Sequence, residues 1–202
     1  MSEIQDKPQG RQAQRLHTRK RVLDAAVAEF GRAGAAEADI ATIVEDAGVA
    51  RGTFYFHFPT KEHVLLELEQ REEARIAGEL ERYLRTPHDL AGVLAKVVRL
   101  IAALERRLGS KLFKDLLAVH FSPTRPLDDT WREHSVIALV AQEIEQAAER
   151  GEAQLVVESY HSAVFFLIGL YALLTTTSGS KALRTAVLAD YVTTTLRSLE
   201  PR

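Results

Sequence analysis

Between Gly48 and Pro59 the chain reads VARGTFYFHF, and those two residues fence the segment on both sides. Glycine supplies a turn conformation that side-chain-bearing residues resist. Proline cannot continue a helix and disfavours helical backbone just before it. The space between them suits about two turns of helix. Phe54, Tyr55, Phe56 and Phe58 crowd into it, with His57 among them. A segment that short builds no core of its own. It must dock some rings on neighbouring helices and turn its remaining side chains outward.

The neighbours read as helices too. Alternating apolar and polar runs bounded by Asn-Gly or Asp-Gly turns are missing, while helical periodicity runs through nearly the whole chain. Thr18 is a good N-cap for a first helix, whose face carries Val22, Leu23, Ala26, Val27 and Phe30 before Gly31 and Gly34. Asp39 can cap a second, short helix with Ile40, Ile43, Val44 and Ala47 on one side and Thr42 on the other, ended by Gly48. The third spans Ala50–Phe58, and Thr60 caps a long fourth helix reaching about Leu84. After Thr86-Pro87 the pattern predicts helices near 88–107, 110–121, 127–150, 156–177 and 181–198. The expected fold is therefore all-α, about nine helices: a flexible basic and polar tail (1–17), a three-helix head (18–60), a linking helix (61–85) and a larger helical body (86–202).

Two short helices joined by a tight turn, the second rich in donors, follow the helix-turn-helix plan. Phe54 and Phe58 lie four apart and share a face, which suits packing inward. That leaves Tyr55 and His57 outward, with Arg51, Gly52 and Thr53 at the leading end. A recognition helix offers its first residues to base edges in the major groove. Arg51 has the fork that fits guanine O6 and N7, a pairing worth about 1–3 kcal/mol of discrimination. Gly52 permits close approach, and Thr53, Tyr55 and His57 can donate to phosphates. Thr60 and Lys61 open the next helix, whose free N–H groups and dipole favour an anion. Basic residues upstream (Arg11, Arg15, Arg19, Lys20, Arg21) suit a minor-groove or backbone arm, or simply a solvated tail.

The run GRAGAAEADIATIVEDAGVARGTFYFHFPTKEHVLLEL resembles the N-terminal domain of TetR-family transcriptional regulators. Gly34, Ala47, Gly48, Val49, Arg51, Gly52, Thr53, Phe54, Tyr55, His57, Phe58, Thr60, Lys61 and Glu62 match that family's pattern in order. It departs from the pattern where Ala38 and Asp39 replace a Thr pair, Ala50 replaces Ser and Val44 replaces Ala. The resemblance implies a DNA-binding head contacting its operator through Arg19, Thr42, Arg51, Gly52, Thr53, Tyr55, His57, Thr60 and Lys61. It also implies a ligand cavity in the body, with candidate lining residues Leu104, Leu108, Phe113, Leu117, His120, Phe121, Trp131, His134, Tyr160, His161 and Phe165. Apolar and aromatic side chains dominate that set, which fits a small, largely apolar effector.

A head of this size makes few contacts alone, so pairs on two half-sites are expected. The run AVFFLIGLYALL (163–174) is apolar all round and needs cover on every side. With the final helix it is the candidate homodimer surface, through Phe166, Gly169, Leu170, Leu173, Leu188, Tyr191 and Val192. The run is shorter than the roughly 20 residues of a membrane span.

Composition narrows the classes. A net charge of −2 disfavours a protein that coats nucleic acid indiscriminately but leaves room for a local basic patch. With no cysteine in 202 residues, disulfides and thiolate metal sites are excluded, and a reducing, cytoplasmic setting is expected. No cofactor is expected. Glu158 and His161 have the Glu-x-x-His spacing of di-iron bundles, but no second copy accompanies them, so neither a metal site nor an enzyme is expected. The sequence therefore points to a DNA-binding transcriptional regulator, a repressor released from a palindromic operator by its effector. The alternative is a helical ligand- or protein-binding module without specific DNA binding.

Overall fold

The computed structural model describes residues 7–122, 135–177 and 180–200, and among them every regular element is a helix. In chain order these are α1 (Lys7–Ala33), α2 (Ile40–Ala47), α3 (Arg51–His57), α4 (Lys61–Leu84), α5 (Leu90–His120), α6 (Ser135–Glu149), α7 (Ser159–Thr176) and α8 (Lys181–Ser198). The expected pair of helices on either side of Gly109 is one element, α5, interrupted where Gly109 takes φ 76° and ψ 159°. The expected start of α6 near residue 127, with Trp131 and His134, lies outside the described residues.

α1 differs from expectation. It starts at Lys7, so residues 7–17 are helical where the sequence pattern suggests a tail. Apolar periodicity begins only at Val22, but the Gln, Arg and Ala residues before it are good helix formers and extend the helix without any core face.

The chain divides into two compact units: residues 1–69 with 111–122, and residues 70–110 with 123–202. The boundaries fall inside α4 and just after Gly109 in α5. The end of α5 thus groups with the head rather than with the rest of the expected body.

In the first unit, Val22, Ala26, Phe30, Ile43, Phe54, Phe58 and Val64 are wholly buried. The α1–α2 corner is braced from two helices. The Asp115 carboxylate accepts from the Ala35 N–H at 2.7 Å, and the Lys61 ammonium donates to the Ala35 and Ala36 carbonyls at 2.9 Å each. Buried Glu29 takes two hydrogen bonds from Arg32 and one from the Asp39 N–H; Arg32 above all holds its carboxyl below the usual range.

In the second unit α7 lies along α6 and also touches α8. Charged side chains tie the remaining helices. Burial alone would raise the Glu72 carboxyl, but guanidiniums from Arg107 on α5 and Arg75 bring it below its ordinary value. Glu73 accepts from the Val136 N–H in the first turn of α6, and Glu105 pairs with Arg184 of α8. His88 is held at both ring nitrogens, by the Thr86 carbonyl at 2.6 Å and by Glu143 of α6 at 3.0 Å.

Candidate nucleic-acid interface

α2, a three-residue turn and α3 form the helix-turn-helix unit. Asp39 caps α2 as expected: its backbone is extended (φ −94°, ψ 123°) and its carboxylate accepts from the Ala41 N–H at 2.8 Å. Gly48 ends α2 in the left-handed region at φ 62°, ψ 44°. Its N–H bonds the Glu45 carbonyl at 2.9 Å and that of Val49 bonds Val44 at 3.0 Å, which satisfies carbonyls a helix end leaves free. The Arg21 guanidinium donates to the Ala47 and Gly48 carbonyls, placing a cation where the α2 dipole favours one.

This turn sets the face that α3 shows. Phe54 and Phe58 are wholly buried, as expected from their spacing, with ring centroids 6.2 Å apart. Arg51, Gly52, Tyr55 and Phe56 are exposed, and Thr53 is half-buried. The Tyr55 ring stands edge-on to Phe54 and is 44% exposed, with the Arg51 guanidinium 5.9 Å from its centroid. An exposed guanidinium, a bare backbone at Gly52 and a phenol hydroxyl thus share one end and one side of a short rod.

His57 corrects the sequence expectation. It is 6% exposed and faces the core, one turn after Phe54. Burial, together with the charges of Arg19 and Arg15, holds its imidazole below the ordinary value of 6.5. It is therefore neutral at pH 7 and offers no charge to a phosphate. Phe56 points outward instead, 65% exposed. With Phe54 and Phe58 four apart, position 57 falls on their side and position 56 off it, a signal that helix geometry carries but the pairing alone obscures.

The other candidates divide by engagement. Thr60 is exposed, with its hydroxyl 2.9 Å from Nδ1 of His63. Thr42 is half-buried on α2. Arg19 turns into the head: it pairs with Glu67, donates to the His57 carbonyl at 2.6 Å and lies 4.4 Å over the Phe58 ring. Lys61 is committed to the α1–α2 corner. Arg19 and Lys61 therefore position the motif within this structure.

The body candidates are more dispersed. Phe113, Leu117, His120 and Phe121 belong to the first unit; Leu104, Leu108, Tyr160, His161 and Phe165 belong to the second. Leu104, Leu108 and Phe113 are buried, and His120 pairs with Glu69. Phe121, His161 and Phe165 are exposed, the last two stacked on the outer surface of α7, so they do not line an interior. Tyr160 borders an open hollow of about 660 Å³ with Leu155, Val156, Val157 and Glu145. Glu158 and His161 lie 4.0 Å apart on the surface, and no group of three metal-ligating side chains gathers among the described residues.

The residues of α7 expected at a dimer surface are partly committed inside the chain. Phe166 and Leu170 are buried within the chain, whereas Phe165 is 62% and Ile168 47% exposed. Gly169 serves an internal contact: a Cβ there would collide with the Tyr191 hydroxyl, which donates to the Phe166 carbonyl at 2.8 Å. Tyr191 also stacks on Phe166, centroids 5.6 Å apart. Leu173, Leu188 and Val192 are half-buried, and no residue of α8 is fully buried. Continuous apolarity along α7 could not reveal which side the chain itself covers. By length and composition α7 is also apolar enough to cross a membrane, with mean hydropathy 1.3 over Ser159–Thr176.

A sequence profile described as bacterial regulatory proteins, tetR family, matches residues 22–68. Over 105 residues the chain is 31% identical to the HTH-type transcriptional regulator AcrR of Shigella flexneri, covering 52% of this chain and 48% of that protein. It is 40% identical over 73 residues to the HTH-type transcriptional repressor KstR of Mycolicibacterium smegmatis, covering 36% and 35%. The matches thus span less than half the length of these curated relatives. Among solved structures, Thermus thermophilus FadR, a TetR-family repressor in complex with lauroyl-CoA, superposes with a TM-score of 0.65 at 24% identity, over 89% of this chain and 91% of that one. Residues 22–68 are thus similar to the DNA-binding head of tetR-family bacterial regulatory proteins, and the chain shares the fold of that solved structure.

Proposed function

We propose that the protein is a cytoplasmic, sequence-specific DNA-binding transcriptional regulator, a homodimeric repressor that leaves a palindromic operator when a small, largely apolar effector binds. The observation that carries the reading is the division of α3. Phe54, His57 and Phe58 anchor it, while Arg51, Gly52 and Tyr55 stand free on the opposite side behind a left-handed Gly48 turn. Packing alone does not require an exposed arginine, a glycine and an outward phenol on so short a helix. Major-groove recognition does.

The dimer reading is supported by Phe165, Ile168 and Leu183, large apolar side chains left about half or more exposed on α7 and α8. Two copies meeting there would cover them and place two heads on one duplex. The effector reading is supported by the likeness to FadR, whose structure holds lauroyl-CoA. α4 begins in the head at Lys61 and ends in the body at Leu84, and Glu67 and Glu72 tie it to α1 and α5. A ligand that prefers one packing of the body would act through α4 on the spacing of paired recognition helices. A hundredfold loss of operator affinity requires about 2.7 kcal/mol of differential binding.

The test is selection from a pool of random duplexes, then fluorescence anisotropy at low and high salt. Enrichment of an inverted repeat, bound specifically where random duplex is released, is the expected result. Equal affinity for selected and random duplex at every salt concentration would overturn the proposal.

A further inference from the structure

We infer that the leading part of α1 is a rigid helical strut that grips the phosphate backbone of duplex DNA beside α3, with Arg11 and Arg15 as its contacts. The inference rests on the functional reading above and adds a second binding element to it.

α1 runs helical from Lys7, yet residues 10–17 are exposed and bury nothing in the core. From Lys7 to Arg21 the chain holds six Lys and Arg residues and no Asp or Glu, in a protein whose net charge is −2. Three of those cations are occupied: Arg19 by Glu67, Lys20 by Asp24, and Arg21 by the end of α2. Arg11 and Arg15 pair with no carboxylate among the described residues. Four apart, they share one face of the helix. That face opens toward α3, because the Arg15 guanidinium sits 5.2 Å over the exposed Phe56 ring. A solvated helix face normally intersperses both signs; this one carries a single sign and adjoins the surface assigned to DNA.

Its being helical decides which part of the duplex it meets. An α-helix with side chains is about 10–12 Å across, and the B-form minor groove is about 6 Å wide. A helical strut cannot enter that groove as an extended arm can. Its Arg11–Arg15 step advances about 6 Å along the axis, nearly two phosphate steps of one strand. A lipid surface would need an apolar face, and Leu16 is the one large apolar side chain from 10 through 17.

The test uses the full-length protein, the duplex it selects from a random pool, and Arg11→Gln. Arg11 is exposed, so the variant keeps its helix content and melting temperature, which circular dichroism checks. The slope of log affinity against log salt should fall by about 0.9 per lost phosphate contact, near 1.8 for a dimer, with the selected sequence unchanged. An unchanged slope would overturn the inference. So would a variant with altered preference at flanking A·T pairs, which would mean a base-reading arm. A wild-type chain that selects no duplex would bring down the functional reading itself, and the strut with it.

Discussion

At the scale of single residues, Gly48, Arg51 and His57 carry most of the weight, each for a different reason. Gly48 holds φ 62°, where an L side chain costs roughly 1–2 kcal/mol. A Cβ there would also lie 3.0 Å from the Arg21 guanidinium, a flexible tip that can shift. Gly48→Ala should therefore lower unfolding free energy by about 1–2 kcal/mol in urea titrations, and Gly48→Asn by less, since Asn tolerates that backbone. Arg51 reaches outward from the first turn of α3. Its replacement by Ala should cost about 1–3 kcal/mol on the selected duplex and relax base preference there. Equal loss on selected and random duplex would contradict a base-reading role. His57 was the residue least legible from sequence. The Phe54–Phe58 spacing identifies a buried face but does not say how wide it is, and that width takes in position 57.

At the scale of elements, the boundaries of α2, α3 and α4 are legible because they depend on local chemistry. Asp39 caps, Gly48 turns left-handed, Pro59 stops, and each acts through its own backbone or its near neighbours. The start of α1 was not legible, since nothing apolar marks it. The buried side of α7 was not either, because every side is apolar and only the packing of α6 and α8 selects one. Two histidines give head and body opposite responses to pH. His88 touches acceptors at both ring nitrogens, which only the imidazolium can satisfy by donating twice. The Thr86 carbonyl first, then Glu143, raise it above 6.5, against partial burial and the charge of Arg150. A raised folded value means that stabilisation is complete below about pH 6.5 and lost as pH climbs through the folded value. The gap in melting temperature between wild type and His88→Gln should thus be widest near pH 6 and close at higher pH; a gap that grows with pH would refute the imidazolium. For His57 the sign reverses. Its depressed value gives stability that is full above about 6.5 and declines as pH falls toward the lower folded value. His57→Gln should flatten acid sensitivity in the head, read by amide exchange of α2 and α3.

At the scale of the whole molecule, α7 and α8 leave Phe165, Ile168 and Leu183 on view, and their exposure is what a partner copy would remove. Sedimentation should give a particle of about 45 kDa, twice the 22.5 kDa chain. Phe165→Glu should shift it toward the monomer and weaken operator binding, because two linked heads bind far more tightly than one. A wild-type particle of single-chain mass at working concentrations would remove the dimer from the account. The expected ligand cavity is the least legible reading of the chain. Most of its candidates are apolar residues that core packing explains equally well, and three candidates, Phe121, His161 and Phe165, lie on the surface.

On the proposed function, paired α3 helices read a symmetric duplex. Selecting sequences from random DNA with wild type and with Arg51→Ala tests it most directly. Wild type should select an inverted repeat, with half-site centres about one helical turn (34 Å) apart or a multiple of it and two chains or a multiple bound per site, and the variant should leave degenerate positions in each half-site. Recovery of no common sequence by wild type, or of the same sequence with equal stringency by both proteins, would contradict it.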